Sequence, residues 1–175
     1  RYIMSLLSGQ KGAVVVLDPK DNSVLAMVST PSYDNNLFVD GISASDYKRL
    51  LEDPTRPLYS RATQGVYPPA STVKPFVAVA ALTEGVITPH TTIFDPGYWM
   101  LPNSTKRFRD WKKSGHGYTD LNKAITESSD TFFYQTAFNL GIDRFSMWMK
   151  RFGFGMPTGI EIQEEAAANM PSKEW

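Results

Sequence analysis

The stretch from Ser71 to Gly85 reads STVKPFVAVAALTEG and is the most informative about the fold. Its apolar side chains recur at the spacing of one helical face, and the segment is apolar on nearly every side. We therefore predict a buried central helix from Ser71 to about Glu84, ended by Gly85. Pro75 falls in the first turn of this helix, where a missing backbone N–H costs least.

The residues before this helix show strand and turn patterns. The predicted elements, in chain order, are a helix tail over 1–8, hairpin strands over 13–17 and 23–29, a loop over 30–39, and a helix capped by Ser43 that ends near Asp53. The hairpin places the first antiparallel strands of the chain before its central helix.

The residues after the central helix are first loop-rich and then helical. We predict a loop region over 86–118, one helix over 121–140, a second helix that ends at Gly153, and a strand over 159–162. A hairpin followed mostly by helices favours an α+β fold, in which helices pack against an antiparallel sheet.

Composition excludes several classes of protein. The chain has 175 residues, of which 42% are hydrophobic, and its 18 basic and 18 acidic residues cancel. Because the chain has no net positive charge, nucleic acid and anionic membrane surfaces are poor candidates for partners. The absence of cysteine excludes disulfides, thiol catalysis and cysteine-based metal sites.

The two ends of the chain indicate a part of a longer protein. The sequence begins at Arg1 without Met and ends at Trp175 without a closing element. We expect residues 1–175 to be an interior stretch of that longer protein.

A serine and a lysine stand three positions apart at the start of the predicted central helix. Residues i and i+3 share a helix face, with Cβ atoms about 5–6 Å apart, so the Lys74 amine can approach the Ser71 hydroxyl. A serine becomes a strong nucleophile only when a base removes its proton. The helix N-terminus and the apolar surroundings disfavour a charged lysine, so neutral Lys74 is the predicted base. Because S-x-x-K also occurs often by chance, the buried helix is what favours catalysis.

Two carboxylates and an imidazole stand in the loop-rich region. Asp95, Asp110 and His116 offer ligand atoms that zinc accepts. The alternative is structural: Asp95 is a turn residue, Asp110 pairs with a neighbouring arginine, and His116 packs in a loop.

Several segments together resemble class B penicillin-binding proteins, and among them penicillin-binding protein 2. The segments that carry the resemblance are 13–31, 61–75, 110–113, 115–117, 127–134, 141–143 and 152–155. S-x-x-K is the first motif of this family. The resemblance implies the penicillin-recognising serine transpeptidase fold, an antiparallel sheet flanked by helices, with residues 1–175 as the N-terminal portion of that domain.

The resemblance also implies roles for four residues. Ser71 would be the nucleophile and Lys74 its activator, while Ser128 and Asp130 belong to the second motif. That motif usually reads Ser-x-Asn, so Asp130 replaces an amide donor with an acceptor. Asp130 could hold Lys74 as an ammonium, which argues against a neutral base, and the sequence leaves both possibilities open.

The third family motif, K-[ST]-G, has a literal match at Lys113-Ser114-Gly115. In the family this motif follows the second motif and lies on a strand, whereas here it precedes Ser128 in a loop. We therefore interpret it as a chance match and expect the true motif beyond Trp175.

For the three candidate metal ligands, the resemblance implies zinc, with a fourth ligand at the position of Ser129. A serine hydroxyl is a weak zinc ligand, so the fourth position differs from the expected pattern.

The implied activity is that of a serine-type D-Ala-D-Ala transpeptidase and carboxypeptidase that crosslinks peptidoglycan in cell elongation and shape. The implied partners are peptidoglycan stem peptides, β-lactam antibiotics and a membrane glycosyltransferase, and the implied location is the bacterial inner membrane with this domain in the periplasm. The alternatives are a serine β-lactamase, a β-lactam sensor domain and a non-catalytic wall-binding module. Fast deacylation would identify a lactamase, and slow deacylation with crosslinking a transpeptidase.

Overall fold

The computed structural model describes residues 1–162 and 164–173, so Trp175 lies outside the described residues. The chain forms two compact units. The first comprises residues 1–67 and 160–166, and the second comprises 68–159 with 167–175. All eight candidate site residues belong to the second unit.

The first unit contains the predicted hairpin and short helix. Its elements are α1 (Tyr2–Leu6), β1 (Gly12–Leu17), β2 (Val24–Thr30) and α2 (Ala44–Glu52), with a 3₁₀ turn at Asn35–Phe38. The two strands are antiparallel, with Val14 opposite Val28. The Ser43 hydroxyl accepts the Asp46 N–H and caps α2, as predicted.

The second unit packs four helices with short antiparallel strand pairs. Its helices are α3 (Lys74–Thr83), α4 (Leu121–Thr126), α5 (Asp130–Leu140) and α6 (Ile142–Arg151). Its strands are β3 (Ile93–Asp95), β4 (Tyr98–Met100), β5 (Arg107–Arg109) and β6 (Gly117–Thr119), paired β3 with β6 and β4 with β5. The core joins buried side chains of α3, α4, α5 and α6, among them Ala81, Ala124, Phe132 and Met149. Helices beside antiparallel strands confirm the α+β prediction.

The central helix begins later than predicted. Residues 70–73 form a 3₁₀ turn, and α3 starts at Lys74. Pro75 has no N–H for the Ser71 carbonyl, which accepts the Lys74 N–H instead, and this i+3 bond is the 3₁₀ pattern. Ser71 therefore lies in the turn that leads into the helix, and its side chain caps no backbone group of α3.

The predicted helix over 121–140 is two helices. α4 ends at Thr126 and α5 begins at Asp130, and between them Ser128 has a φ of 55°. A left-handed residue cannot continue an α-helix. The break exposes new N–H groups, and the Ser129 hydroxyl accepts one of them from Phe132.

Residues 86–118 are loop-rich, as predicted, but they also contain three short strands and the start of β6. Three-residue strands are too short to show a period in sequence. One further prediction was wrong. Residues 159–162 form no strand, and Gly159 has a φ of 81°, which lies outside the β region.

Candidate active site and neighbouring metal site

A chain of hydrogen bonds leads from Lys74 to the predicted nucleophile. The Lys74 Nζ lies 3.0 Å from the Ser128 Oγ, which in turn lies 2.9 Å from the Ser71 Oγ. Ser71 and Lys74, predicted from their spacing, are thus connected through Ser128. Proton movement between the lysine and the nucleophile has a path through one intervening hydroxyl.

Lys74 is buried and surrounded by acceptors. Its Nζ donates to the Ser128 carbonyl at 2.7 Å, to the Ser128 Oγ at 3.0 Å and to Asp130 Oδ1 at 2.7 Å. An ammonium has three N–H donors, and these three acceptors use all of them. The geometry therefore suits an ammonium held by Asp130, the second of the two possibilities left open by the sequence.

The left-handed conformation of Ser128 is what allows this arrangement. With a φ of 55°, Ser128 presents both its carbonyl and its hydroxyl to the same amine. Asp130 follows at the first turn of α5, where a carboxylate also interacts favourably with the helix N-terminus. The break between α4 and α5 thus places the second motif opposite Lys74.

A second cluster, of Asp95, Asp110, His116 and Ser129, lies buried beside the second motif. One ligand atom from each of Asp95, Asp110 and His116 lies within 4.8 Å of the others. The His116 Nδ1 is 2.6 Å from Asp95 Oδ2 and 3.7 Å from Asp110 Oδ1. The Ser129 hydroxyl is 3.1 Å from Asp95 Oδ2 and 3.3 Å from Asp110 Oδ2. Asp95, Asp110 and His116 thus converge on one point, with the Ser129 hydroxyl beside them.

The surroundings of Asp95 favour its ionised form. Burial raises the pKa of Asp95, but hydrogen bonds from His116, the Gly97 N–H and the Ser129 hydroxyl outweigh burial and lower the pKa to about 2. The His116 Nε2 is buried without a hydrogen-bond partner among the described residues. These negative oxygens and the imidazole form a site that can hold a divalent cation.

The short strands hold the cluster in place. Asp95 ends β3 directly opposite Gly117 of β6, which brings His116 beside it. Gly97 and Gly115, with φ values of 94° and 70°, bring the two connecting loops together. A Cβ at Gly115 would collide with the Asp95 carbonyl, and one at Gly97 with the Lys113 carbonyl. Only glycine fits at either position.

The cluster also supports the catalytic motif. The Asp110 Oδ2 accepts the Asp130 N–H at 2.7 Å and the Thr131 N–H at 3.0 Å, which satisfies the start of α5. The next residue, Trp111, donates its N–H to Asp130 Oδ2 at 3.3 Å. The position of Asp130 therefore depends on residues 110–111 as well as on Lys74.

Ser71 opens onto a pocket of about 660 Å³. Its lining residues are Ser71, Trp111, Thr126, Glu127, Ser128 and Asp130. Sequence reasoning named Trp111 and Glu127 only as parts of matching segments and did not identify them as pocket residues. The signal available in the sequence was a tryptophan directly after Asp110, a candidate metal ligand.

The literal match Lys113-Ser114-Gly115 lies in a turn between β5 and β6. It is not on a strand and does not line the pocket of Ser71. This agrees with its interpretation as a chance match.

Comparison with known proteins extends these observations. The family model described as the penicillin binding protein transpeptidase domain matches residues 12–175. Peptidoglycan D,D-transpeptidase MrdA of Haemophilus influenzae is 84% identical over the whole chain, which spans 27% of that relative. The chain therefore spans about a quarter of the length of this curated relative.

Solved structures of penicillin-binding proteins have the same fold as this chain. Penicillin-binding protein 2 of Pseudomonas aeruginosa, solved in complex with WCK 5153, is 50% identical with a TM-score of 0.93; the match covers 98% of this chain and 39% of that one. Penicillin-binding protein 2 of Helicobacter pylori, solved in complex with MreC, is 36% identical with a TM-score of 0.93; that match covers 99% of this chain and 32% of the other.

Proposed function

Because this chain belongs to the family of penicillin-binding protein transpeptidase domains, we propose that the protein is a peptidoglycan D,D-transpeptidase acting in cell elongation and shape. The observation that carries the proposal is the hydrogen-bonded path from Asp130 through Lys74 and Ser128 to Ser71. Residues 1–175 would supply the nucleophile and the second motif of the domain.

The first chemical step forms an acyl-enzyme. The Ser71 Oγ bonds to the carbonyl carbon between two D-alanines of a stem peptide, and its proton passes to the Ser128 hydroxyl. Ser128 gives a proton to the nitrogen of the last D-alanine as the carbon–nitrogen bond breaks. Lys74, held by Asp130, stabilises negative charge on Ser128 and Ser71 during the transfer.

The second step transfers the acyl group to an amine of another stem peptide. The amine nitrogen bonds to the acyl carbon, the ester bond to Ser71 breaks, and the Ser71 oxygen recovers a proton through Ser128. Attack by water instead of the amine gives carboxypeptidase activity. β-Lactams would acylate Ser71 in the same manner as the donor peptide.

A fluorescent penicillin tests this function. The label should appear on the peptide that contains Ser71, and the acyl-enzyme should persist for much longer than that of a β-lactamase. A label on any other residue would overturn the assignment, and rapid release of hydrolysed penicillin would indicate a lactamase.

We also propose that the buried cluster holds zinc. The donor set fits, since Asp95, Asp110 and His116 face one point and are all buried. These three residues would hold the ion, and the Ser129 hydroxyl or a water would supply a fourth ligand. A bound ion would contribute structural stability by tying the loops around β3 and β6 to the start of α5.

The partners and location follow from the same family membership. Peptidoglycan stem peptides are the proposed substrates, and a membrane glycosyltransferase is a proposed partner; the Helicobacter pylori relative was solved with MreC. We place the domain in the periplasm at the inner membrane. Among the described residues, helices are too short or too polar to cross a bilayer.

A further inference from the structure

Trp111 is held rigidly at the pocket although it is exposed. About 64% of its surface is accessible. Its indole Nε1 donates to the Glu127 carbonyl at 3.0 Å, and its main-chain N–H donates to Asp130 Oδ2 at 3.3 Å. The ring also packs edge-on against His116, with centroids 5.5 Å apart. A fixed, exposed indole offers a large apolar surface to a ligand at low entropic cost.

Glu127 places a carboxylate on the same wall of the pocket. Its side chain is 40% exposed, and its Oε2 lies 3.9 Å from the Lys112 Nζ and 3.8 Å from the His116 Nε2. Both distances exceed a hydrogen bond. The carboxylate that bonds Lys74 is that of Asp130, so Glu127 supplies a second negative charge to the pocket.

We propose that Trp111 and Glu127 form the subsite for the acceptor, an aliphatic chain that ends in a primary ammonium. The indole would contact the methylene groups of the chain, and the Glu127 carboxylate would bind the ammonium. A tryptophan face also attracts a cation directly. The hydrogen bond from the Trp111 Nε1 to the Glu127 carbonyl holds the indole beside the backbone that carries this carboxylate.

This inference rests on the proposed transpeptidase function, since it concerns the amine used in the second step. The bound ammonium releases one proton to water, and the resulting amine attacks the acyl carbon on Ser71. Its second proton returns through Ser128 to the Ser71 oxygen. Glu127 thus concentrates the acceptor where the acyl-enzyme forms.

Lys112 allows the direction of the effect on acceptor binding to be tested. Its side chain is 43% exposed and competes with the acceptor ammonium for the same Glu127 oxygen. Lys112→Gln should therefore strengthen acceptor binding, while Glu127→Gln should weaken it. A role of Glu127 in folding alone predicts no such opposition.

The experiment uses the full natural chain and two peptides. The donor is a labelled stem pentapeptide whose side-chain amine is acetylated, and the acceptor is an unlabelled stem tetrapeptide with a free side-chain amine. Both crosslinked and hydrolysed products arise from one acyl-enzyme, so their ratio is independent of the rate of acylation. Mass spectrometry measures that ratio as the acceptor concentration is raised.

For Glu127→Gln we expect the ratio of crosslinked to hydrolysed product to fall about tenfold, the size of one lost charged hydrogen bond. Trp111→Leu should raise the acceptor concentration needed for half-maximal crosslinking, and Trp111→Phe should do so less. Glu52→Gln, an equal charge change on exposed helix α2, is the matched control.

Two outcomes would overturn the inference. One is an unchanged ratio in Glu127→Gln. The other is an unchanged acceptor concentration for half-maximal crosslinking in Trp111→Leu. If Glu127→Gln fails to fold, Lys112→Gln decides, because a ratio at or below wild type contradicts the proposal. Failure of the transpeptidase function itself would differ from both, since the wild-type protein would then form no crosslinked product at any acceptor concentration.

Discussion

The path from Lys74 to Ser71 and the buried cluster around Asp95 lie side by side but differ in construction. The catalytic path faces a pocket and uses residues from a 3₁₀ turn and a helix break. The cluster is closed to solvent and uses residues at the ends of short strands. Their link is Asp110, whose carboxylate fixes the backbone of Asp130. One region is built to react, and the other keeps it in position.

The comparison predicts the largest effect at the nucleophile. Ser71→Ala should abolish covalent labelling by a fluorescent penicillin, because the proposed mechanism forms the ester on the Ser71 Oγ. Gel fluorescence measures the label, and circular dichroism confirms that the variant is folded. Full labelling of Ser71→Ala would show that the nucleophile lies elsewhere.

The next largest effect is expected at Lys74. Lys74→Ala should slow acylation by about 10²–10³, the usual contribution of one group that stabilises negative charge in the transition state. The rate constant is measured by rapid quenching with the fluorescent penicillin. Lys20→Ala, an exposed lysine of the first unit, is the control. Equal rates in wild type and Lys74→Ala would remove the lysine from the mechanism.

A smaller effect on acylation is expected at Asp110, the residue that links the catalytic path to the buried cluster. Asp110→Ala leaves the Asp130 and Thr131 N–H groups without their acceptor, at a cost of about 1–3 kcal/mol in unfolding free energy. Acylation should slow by about tenfold because Asp130 shifts relative to Lys74. Denaturant unfolding and acylation kinetics measure the two effects. A stable variant with normal acylation would show the two regions to be independent.

The smallest effect on acylation is expected from loss of the proposed metal alone. His116→Ala should lower the zinc content of the purified protein strongly, whereas His90→Ala should not. His90 is the other histidine of the chain and is exposed, which makes it a matched control. Elemental analysis measures the zinc. Equal zinc content in both variants would show that Asp95, Asp110 and His116 do not bind the metal and have structural roles.

The sequence predicted more of the catalytic path than of the buried cluster. Ser71 and Lys74 follow from helical spacing, and resemblance supplies Ser128 and Asp130. The residue types of Asp95, Asp110 and His116 suggested the cluster, but the strands that hold it were missed because three residues carry no readable period. The break at Ser128 was also missed, since its left-handed conformation depends on contacts with Lys74 that are distant in sequence.

The start of α3 and the pocket of Ser71 were also beyond what the sequence alone could predict. Pro75 was correctly placed in the first turn, yet its effect on the Ser71 carbonyl, which produces the 3₁₀ turn, was not anticipated. Trp111 and Glu127 became meaningful only when the fold placed them beside Ser71. Local patterns predict elements, whereas a pocket is a property of their packing.

The two glycines that join the strand loops have a consequence for genetics. A side chain at Gly97 or Gly115 would collide with a backbone carbonyl, while Ser114, which directly precedes Gly115, is exposed. In a saturation mutagenesis screen, positions 97 and 115 should accept glycine alone, and position 114 should accept most residues.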